Sequence, residues 1–174
     1  KMDEGLDTGD IIAVSRTAIQ TTDNSQILHD RLSELGASLL IRTLPDYVAG
    51  TISPKPQDNN LATYARKIVK DDGRIDWSLP SIEIHRRIRA FTPWPGVFTL
   101  LPMEQSRLLK ICEASISESE GNAGEILSVS GNNLLVACGQ KSLALTKLQR
   151  EGCRKMDVDS FLNGCPLEPG MMVG

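Results

Sequence analysis

The sequence LDTGD, near the start of the chain, places two carboxylates, a hydroxyl and a glycine within five consecutive positions. Four carboxylates occur in the first ten residues, and Asp7 lies at the centre of this stretch. A carboxylate held on a turn can assist proton transfer, so Asp7 is a candidate catalytic residue. Thr8 and Asp10 are candidates for bracing the turn through local hydrogen bonds, and Gly9 for a backbone conformation closed to other residues. A polar loop without catalytic function fits the same residues.

The triplet Asp-Thr-Gly also occurs at the active site of aspartic proteases, where two copies share one proton. In this chain the triplet occurs once, and Asp10 places a charge where those enzymes have a small residue. Gly5 and Leu6 precede the triplet, where two apolar residues are usual. These departures argue against a protease.

The four cysteines and two histidines do not have the spacing of a zinc site. Cys112, Cys138, Cys153 and Cys165 contain no Cys-x-x-Cys pair, which most structural zinc sites require. We therefore expect no metal, and free, inert, buried thiols typical of a reducing compartment.

Basic residues are concentrated in two stretches, although the chain has 22 acidic and 19 basic side chains and a formal net charge of −3. Residues 61–111 carry nine basic and five acidic side chains, and residues 140–156 carry five basic and one acidic. Salt screens charges beyond about 8 Å, so a polyanion responds to local surface rather than to net charge. A solvated charged surface explains the same counts, and charge alone favours that simpler interpretation.

The elements that must hold these residues begin with an apolar run at Ile11–Val14, which predicts a buried strand. Asp23, Asn24 and Ser25 offer capping side chains for a helix that ends at about Leu44, before Pro45. One apolar face of this helix is predicted to carry Leu28, Leu32, Leu35 and Leu39. Strand, turn and helix in this order indicate the end of an α/β layer.

A change of composition over residues 46–60, rich in Pro, Gly and Asn, indicates a semi-rigid linker. Ser78 can then cap a helix with Ile84, Ile88 and Phe91 on one face. Short apolar segments separated by turn residues follow, and they predict a five-stranded barrel. These strands are Val97–Leu101, Leu108–Ser117, Ile126–Ser130, Leu134–Ala137 and Leu143–Leu148, with a helical turn at Asp157–Leu162.

The two tryptophans are both predicted to be structural. Trp77 lies between Ile75 and Leu79 in sequence and is expected in the core. Trp94 lies between two prolines that restrict the backbone, which indicates a packed hinge between helix and barrel.

Two windows of the sequence resemble the methionyl-tRNA formyltransferase family. They are KMDEGLDTGDI and, from Tyr64 to Gly96, YARKIVKDDGRIDWSLPSIEIHRRIRAFTPWPG, whose ending points to the tRNA branch of the superfamily. The resemblance implies a Rossmann-like catalytic domain, a linker and a barrel-like domain that helps to hold tRNA. We therefore expect an α/β remnant, the end of the Rossmann-like formyltransferase domain, at residues 1–50 and a linker at 51–76. A small OB-like β-barrel domain with a leading helix is expected at 77–174.

The same resemblance implies roles for individual residues. Asp7 corresponds to a catalytic carboxylate that works with an Asn and a His expected upstream of Lys1. Together they would transfer a formyl group from 10-formyltetrahydrofolate to the amino group of methionyl-tRNA. His29 and His85 do not lie in a matching motif.

The resemblance also bears on the basic residues. Lys67 matches a linker lysine that lies close to the tRNA in the family. Lys70, Arg86 and Arg87 are proposed as tRNA-binding from their charge and position alone. Lysines and arginines at such positions would contact phosphates without reading sequence.

The expected partners are initiator methionyl-tRNA and the folate co-substrate, with no membrane and a monomeric state. The compartment would be the cytoplasm in a bacterium and the mitochondrial or plastid interior in a eukaryote. We expect the chain to be a fragment that is inactive alone. Sugar-nucleotide formyltransferases, the hydrolase domain of formyltetrahydrofolate dehydrogenase and a tRNA-binding module without activity are the alternatives.

Overall fold

The computed structural model describes residues 3–102 and 108–174. They form two compact units, Lys1–Lys67 and Ile68–Gly174, so the division falls inside the predicted linker at 51–76. The last part of that linker packs in the second unit, because Ile75 is buried and its N–H donates to the carbonyl of Phe98 over 2.9 Å.

The first unit contains one long helix, α1 (Ser25–Val48). The side chain of Asn24 caps it by accepting from the N–H of Ile27 over 2.9 Å, as the sequence predicts. The predicted end at Leu44 is wrong, because the helix includes Pro45. A proline lacks an N–H donor, but its carbonyl still accepts from the N–H of Ala49 over 2.9 Å and closes the last turn.

The predicted buried strand at Ile11–Val14 is also wrong. Only Ile11 pairs, with N–H and carbonyl each 2.8 Å from their partners on Lys55. Val14 is 61% exposed. A strand needs a partner along its length, and the described residues offer this segment one partner at one position.

The helix α1 buries its predicted apolar face only in part, since Leu28, Leu35 and Leu39 are half-buried. No residue of α1 is buried, and Leu32 and Leu40 are 50% and 61% exposed. The buried side chain next to the helix is Asp23, which accepts hydrogen bonds from both terminal nitrogens of Arg31 at 2.7 and 2.6 Å. The assignment of the first unit as the end of a Rossmann-like domain stays a prediction.

The second unit is an antiparallel sheet with two helices, α2 (Ser81–Ala90) and α3 (Val158–Leu162). Its strands are β1 (Val97–Leu100), β2 (Leu108–Ser117), β3 (Ile126–Ser130), β4 (Asn133–Ala137), β5 (Ser142–Arg150) and β6 (Met156–Asp157). The spatial order is β1-β2-β5-β4-β3, with β6 paired to β5. Among the described residues β1 and β3 do not pair with each other, so the sheet is not closed and the predicted OB-like barrel is not confirmed.

The start of α2 differs from the sequence prediction. The helix begins at Ser81, with Pro80 at the N-cap, rather than at Ser78. The hydroxyl and N–H of Ser78 both donate to the carboxylate of Asp76, at 2.6 and 3.0 Å, so they close a turn before the helix. Ile84 and Ile88 are buried on one face of α2, as predicted.

The core of the second unit lies between α2, α3 and the sheet. Trp77 is 5% exposed, as predicted, and its indole N–H donates to the hydroxyl of Thr99 over 3.0 Å. Two glycines permit close backbone contacts with the segment before α2. A Cβ at Gly73 would collide with the carbonyl of Gly96, and one at Gly139 with the carbonyl of Ser78. These contacts fix the segment that carries Lys70 against the sheet.

Candidate functional site

The LDTGD sequence forms an exposed turn in the first unit. Asp7 is exposed and has a φ of 56°, the left-handed conformation that is uncommon for a residue with a side chain. The sequence assigned this conformation to Gly9, and the structure places it at Asp7. Aspartate tolerates the left-handed region better than most residues, because its short side chain can form local hydrogen bonds.

Gln57, which lies about fifty residues later in the chain, holds this turn through its side chain. Its side-chain amide donates to the carbonyl oxygens of Asp7 and Gly9, at 2.9 and 2.7 Å. The neighbouring pairing of Ile11 with Lys55 brings the two segments together. The sequence does not indicate Gln57 as part of this turn, because no local pattern links positions about fifty residues apart.

Two clefts, of about 600 and 680 Å³, open around the turn and share Leu6, Asp7, Thr8 and Gln57. We call them the Asp7 clefts. Gly9 and Asp10 line the larger cleft, so the structure brings the four candidate residues of the turn together. In the described part of the chain no histidine lines either cleft. An exposed carboxylate beside an open polar cleft can take a proton from a bound amine, but a second group must hold the reacting carbonyl.

The four candidate tRNA-binding residues, Lys67, Lys70, Arg86 and Arg87, are all exposed. Lys67 belongs to the first unit and Lys70 to the second. Arg86 and Arg87 lie on α2 and do not line the cleft that Lys70 lines.

That cleft has a volume of about 460 Å³ and lies in the second unit, where we call it the Trp94 cleft. It combines basic, acidic and aromatic side chains. Its lining includes Lys70, Asp71, Trp94, Phe98, Lys110, Arg150 and Glu151. The sequence prediction that Trp94 is a packed hinge is wrong, since its side chain is 55% exposed. Trp94 and Lys110 were not among the candidate site residues, because no local pattern links positions that lie far apart in sequence.

The electrostatics near α2 are local. Hydrogen bonds from Ser78, with a smaller contribution from Arg87, lower the pKa of Asp76. Partial burial, reinforced by the charge of Arg89, lowers the pKa of His85 from its ordinary value of 6.5. Each group therefore favours its higher-pH form, an ionised Asp76 and a neutral His85.

In the residues that the structure describes, no three His, Cys, Asp or Glu side chains lie together in a way that could hold a metal ion. The four cysteines are free. Cys138 and Cys165 are buried as predicted, and burial raises the pKa of Cys138 to about 11. Cys153 is exposed and Cys112 is half-buried, so the prediction of buried thiols is wrong for Cys153. Over the same described range, no helix is both long and apolar enough to cross a membrane.

Comparison with known families gives one domain match. Residues 67–166 match the family described as formyl transferase, C-terminal domain. Similar curated proteins are methionyl-tRNA formyltransferases. Those of Lachnospira eligens and Geobacter metallireducens are 39% and 40% identical over all of this chain, and that of Myxococcus xanthus is 43% identical over 97% of it. The chain spans about half the length of these relatives, 56%, 55% and 53% respectively.

Solved structures share the fold at low sequence identity. HypX from Aquifex aeolicus in complex with tetrahydrofolic acid is 17% identical, with a TM-score of 0.65 over 99% of this chain and 32% of HypX. An N-formyltransferase from Helicobacter canadensis, in complex with folinic acid and dTDP-3-aminofucose, is 22% identical. Its TM-score is 0.60 over 83% of this chain and 52% of that protein.

Proposed function

The chain belongs to the formyl transferase family, and from that premise we propose that it forms part of a methionyl-tRNA formyltransferase. In this proposal the whole enzyme transfers a formyl group from 10-formyltetrahydrofolate to the amino group of initiator methionyl-tRNA for translation initiation. The relatives at about 40% identity support this acceptor.

The observation that carries the proposal is the Asp7 turn. Its carboxylate is exposed, its backbone is held by Gln57, and it borders two open clefts. The proposed chemistry is the attack of a neutral amine on the formyl carbon, with negative charge developing on the formyl oxygen. As the carbon–nitrogen bond to the folate breaks, the amine loses a proton and the folate nitrogen gains one.

Asp7 has two roles in this scheme, and other groups stabilise the oxyanion and support the turn. Its carboxylate orients and charges a histidine, and it helps to take the proton from the attacking amine. The histidine and an asparagine, both proposed to lie outside these 174 residues, stabilise the oxyanion. Thr8, Gly9 and Asp10 support the turn.

The co-substrate and the acceptor are assigned to different parts of the chain. The formyl group of 10-formyltetrahydrofolate would meet the amine at the Asp7 clefts, and two solved neighbours whose structures hold folates support a folate ligand. Lys67, Lys70, Arg86 and Arg87 are exposed, so each is accessible to a tRNA phosphate. A Rossmann-like assignment for the first unit, an OB-like relationship for the second, a monomeric state and a cytoplasmic or organellar location belong to the same proposal.

The proposal is tested by substituting Asp7→Asn in the full-length enzyme. The change keeps the shape and removes the charge, so tRNA binding should survive. Turnover should fall by about 10²–10⁴-fold, the usual contribution of a positioned proton-transfer group. Asp3→Asn is the matched control, because Asp3 is an exposed carboxylate that lines the larger Asp7 cleft. A fall of less than about fivefold for Asp7→Asn, or an equal fall for both variants, would refute the catalytic role.

A second experiment uses the 174-residue chain itself. The chain should bind tRNA weakly and transfer no formyl group, because the proposed histidine and asparagine are absent from it. Measurable formylation of methionyl-tRNA by the chain alone would contradict this assignment.

The second candidate acceptor is the amino group of a sugar nucleotide. The likeness to the Helicobacter canadensis N-formyltransferase favours it, since that structure holds dTDP-3-aminofucose. Assays of the full-length enzyme with methionyl-tRNA, an amino-sugar nucleotide or water as acceptor separate the transferases from a formyltetrahydrofolate hydrolase. Binding of tRNA without turnover in any of them would leave a tRNA-binding module.

A further inference from the structure

We propose that the Trp94 cleft binds one unpaired nucleotide of an RNA strand, with the base stacked on Trp94 and the adjacent phosphates held by Lys70, Lys110 and Arg150. The inference rests on the proposed function, because it supplies the tRNA with a defined subsite. It concerns residues in the second unit, separate from the chemistry at Asp7.

The first line of argument is the exposed indole. Of the two tryptophans in the chain, Trp77 is 5% exposed and hydrogen-bonded, whereas Trp94 is 55% exposed. Pro93 and Pro95 restrict the backbone on both sides of Trp94, so the segment that presents the ring loses little backbone freedom on binding. An exposed aromatic face is the usual platform for an unpaired base, since every base offers a flat surface for stacking.

The second line of argument is charge. Lys70, Lys110 and Arg150 line the cleft together with two carboxylates, Asp71 and Glu151, which leaves an excess of one positive charge. This excess suits a single RNA strand, whose backbone carries one negative charge for each nucleotide. An excess of one charge also attracts multiply charged anions less strongly than three cations without neighbouring carboxylates would.

As far as the structure describes the chain, the cations of the Trp94 cleft lack the ion pairs that two lysines elsewhere in the second unit form. Lys141 pairs with Glu118 at 2.9 Å, and Lys147 pairs with Glu113 at 3.2 Å. Within residues 3–102 and 108–174, the cations lining the cleft form no such ion pair. They can therefore bind a phosphate without first breaking an ion pair.

The third line of argument is size. A volume of about 460 Å³ lies in the lower part of the range of roughly 300–1,000 Å³ that is usual for small-molecule sites. The cleft therefore suits one nucleotide with its phosphates rather than a double helix. An aromatic ring with cations around it also matches the alternation of base and phosphate along a single strand.

The test is a fluorescence titration of the 174-residue chain with a single-stranded RNA tetranucleotide and with tRNA. Stacking on Trp94 should quench its emission, while buried Trp77 provides a constant background. Trp94→Leu should weaken binding of both RNAs by roughly 5- to 150-fold, the range expected for loss of one stacked base. Trp94→Phe, which keeps an aromatic face, should restore most of the affinity. Thermal melting should change little for either variant, because the side chain is exposed.

Charge and base recognition are tested in the same titration. Lys110→Ala should weaken binding and flatten the dependence on salt, whereas Lys141→Ala, which removes a lysine already paired with Glu118, should change neither. An abasic tetranucleotide should bind more weakly than the RNA and should not quench Trp94.

Several outcomes would overturn the inference. If tRNA binds the wild-type chain and Trp94→Leu equally well, the subsite is refuted while the proposed tRNA partner stands. Equal affinity for the abasic strand, or equal competition by an acidic hexapeptide, would also refute base recognition. If the wild-type chain binds no RNA at all, the inference and the tRNA part of the proposed function fall together.

Discussion

The substitution Gln57→Ala tests whether the turn that carries Asp7 is held from outside. It removes two hydrogen bonds, at 2.9 and 2.7 Å, from the amide of Gln57 to the carbonyls of Asp7 and Gly9. A hydrogen bond contributes about 0.5–1.5 kcal/mol net. Both bonds are exposed to solvent, so the lower value applies to each and the loss is about 1 kcal/mol in total. The left-handed conformation of Asp7 costs up to roughly 1–2 kcal/mol, so the freed turn should leave it.

A loss of about 1 kcal/mol corresponds to roughly a fivefold fall in the ratio of held to released turn. We therefore expect kcat/KM of the full-length enzyme for methionyl-tRNA to fall by up to about fivefold, with little change in tRNA binding. Amide hydrogen exchange over residues 5–11 should become faster. Gln57→Glu should have a larger effect, because a carboxylate cannot donate to the two carbonyls and places a second charge beside Asp7.

The control is Gln26→Ala in α1. Gln26 is also exposed and donates one side-chain hydrogen bond, to Asp30 over 2.8 Å, so its loss should leave turnover unchanged. Gln57→Ala should add little to Asp7→Asn, because both changes act through the same carboxylate. Fully additive losses in the double variant, or unchanged kcat/KM and exchange for Gln57→Ala, would refute the reasoning.

Three further predictions concern other parts of the chain. In the 174-residue chain, amides of α1 should exchange with solvent faster than those of β5, because α1 buries no side chain. Equal protection by mass spectrometry would contradict this. Burial lowers the pKa of His85, so the folded state binds fewer protons than the unfolded state at mildly acidic pH. The free energy of unfolding should decrease as the pH falls below about 6.5. Denaturant titrations should show that His85→Gln loses less stability between pH 7.5 and 5.5 than the wild type does. Identical pH profiles for the two proteins would exclude this contribution. Lys67→Ala should flatten the slope of log tRNA affinity against log salt by roughly 0.7–0.9 with no change in melting temperature; an unchanged slope would make Lys67 a solvated charge.

The sequence by itself determined those elements whose signals are local. The bounds of β2 and β3 match the predicted segments, because alternating apolar residues and turn residues act on neighbours within a strand. The buried face of α2 and the buried position of Trp77 follow from the same local patterns. The LDTGD turn was located as a candidate site, and a resemblance to a family rather than its spacing assigned the catalytic role of Asp7.

Local sequence patterns gave wrong predictions where a strand or a helix cap depended on which other residues it contacts. The Ile11–Val14 run is apolar enough for a buried strand, yet it pairs at one position only. Ser78 has a side chain suited to capping a helix, but Asp76, two residues earlier, accepts both of its donors.

Tertiary structure alone decided which distant residues meet. The contact of Gln57 with the Asp7 turn joins positions about fifty residues apart, and the Trp94 cleft combines side chains from positions 70 to 152. Two prolines beside Trp94 restrict the backbone whether the ring is packed or exposed, so the sequence could not distinguish a hinge from a binding surface. The exposure of the Trp94 side chain depends on which surfaces the rest of the chain covers, and only the folded sheet determines those surfaces.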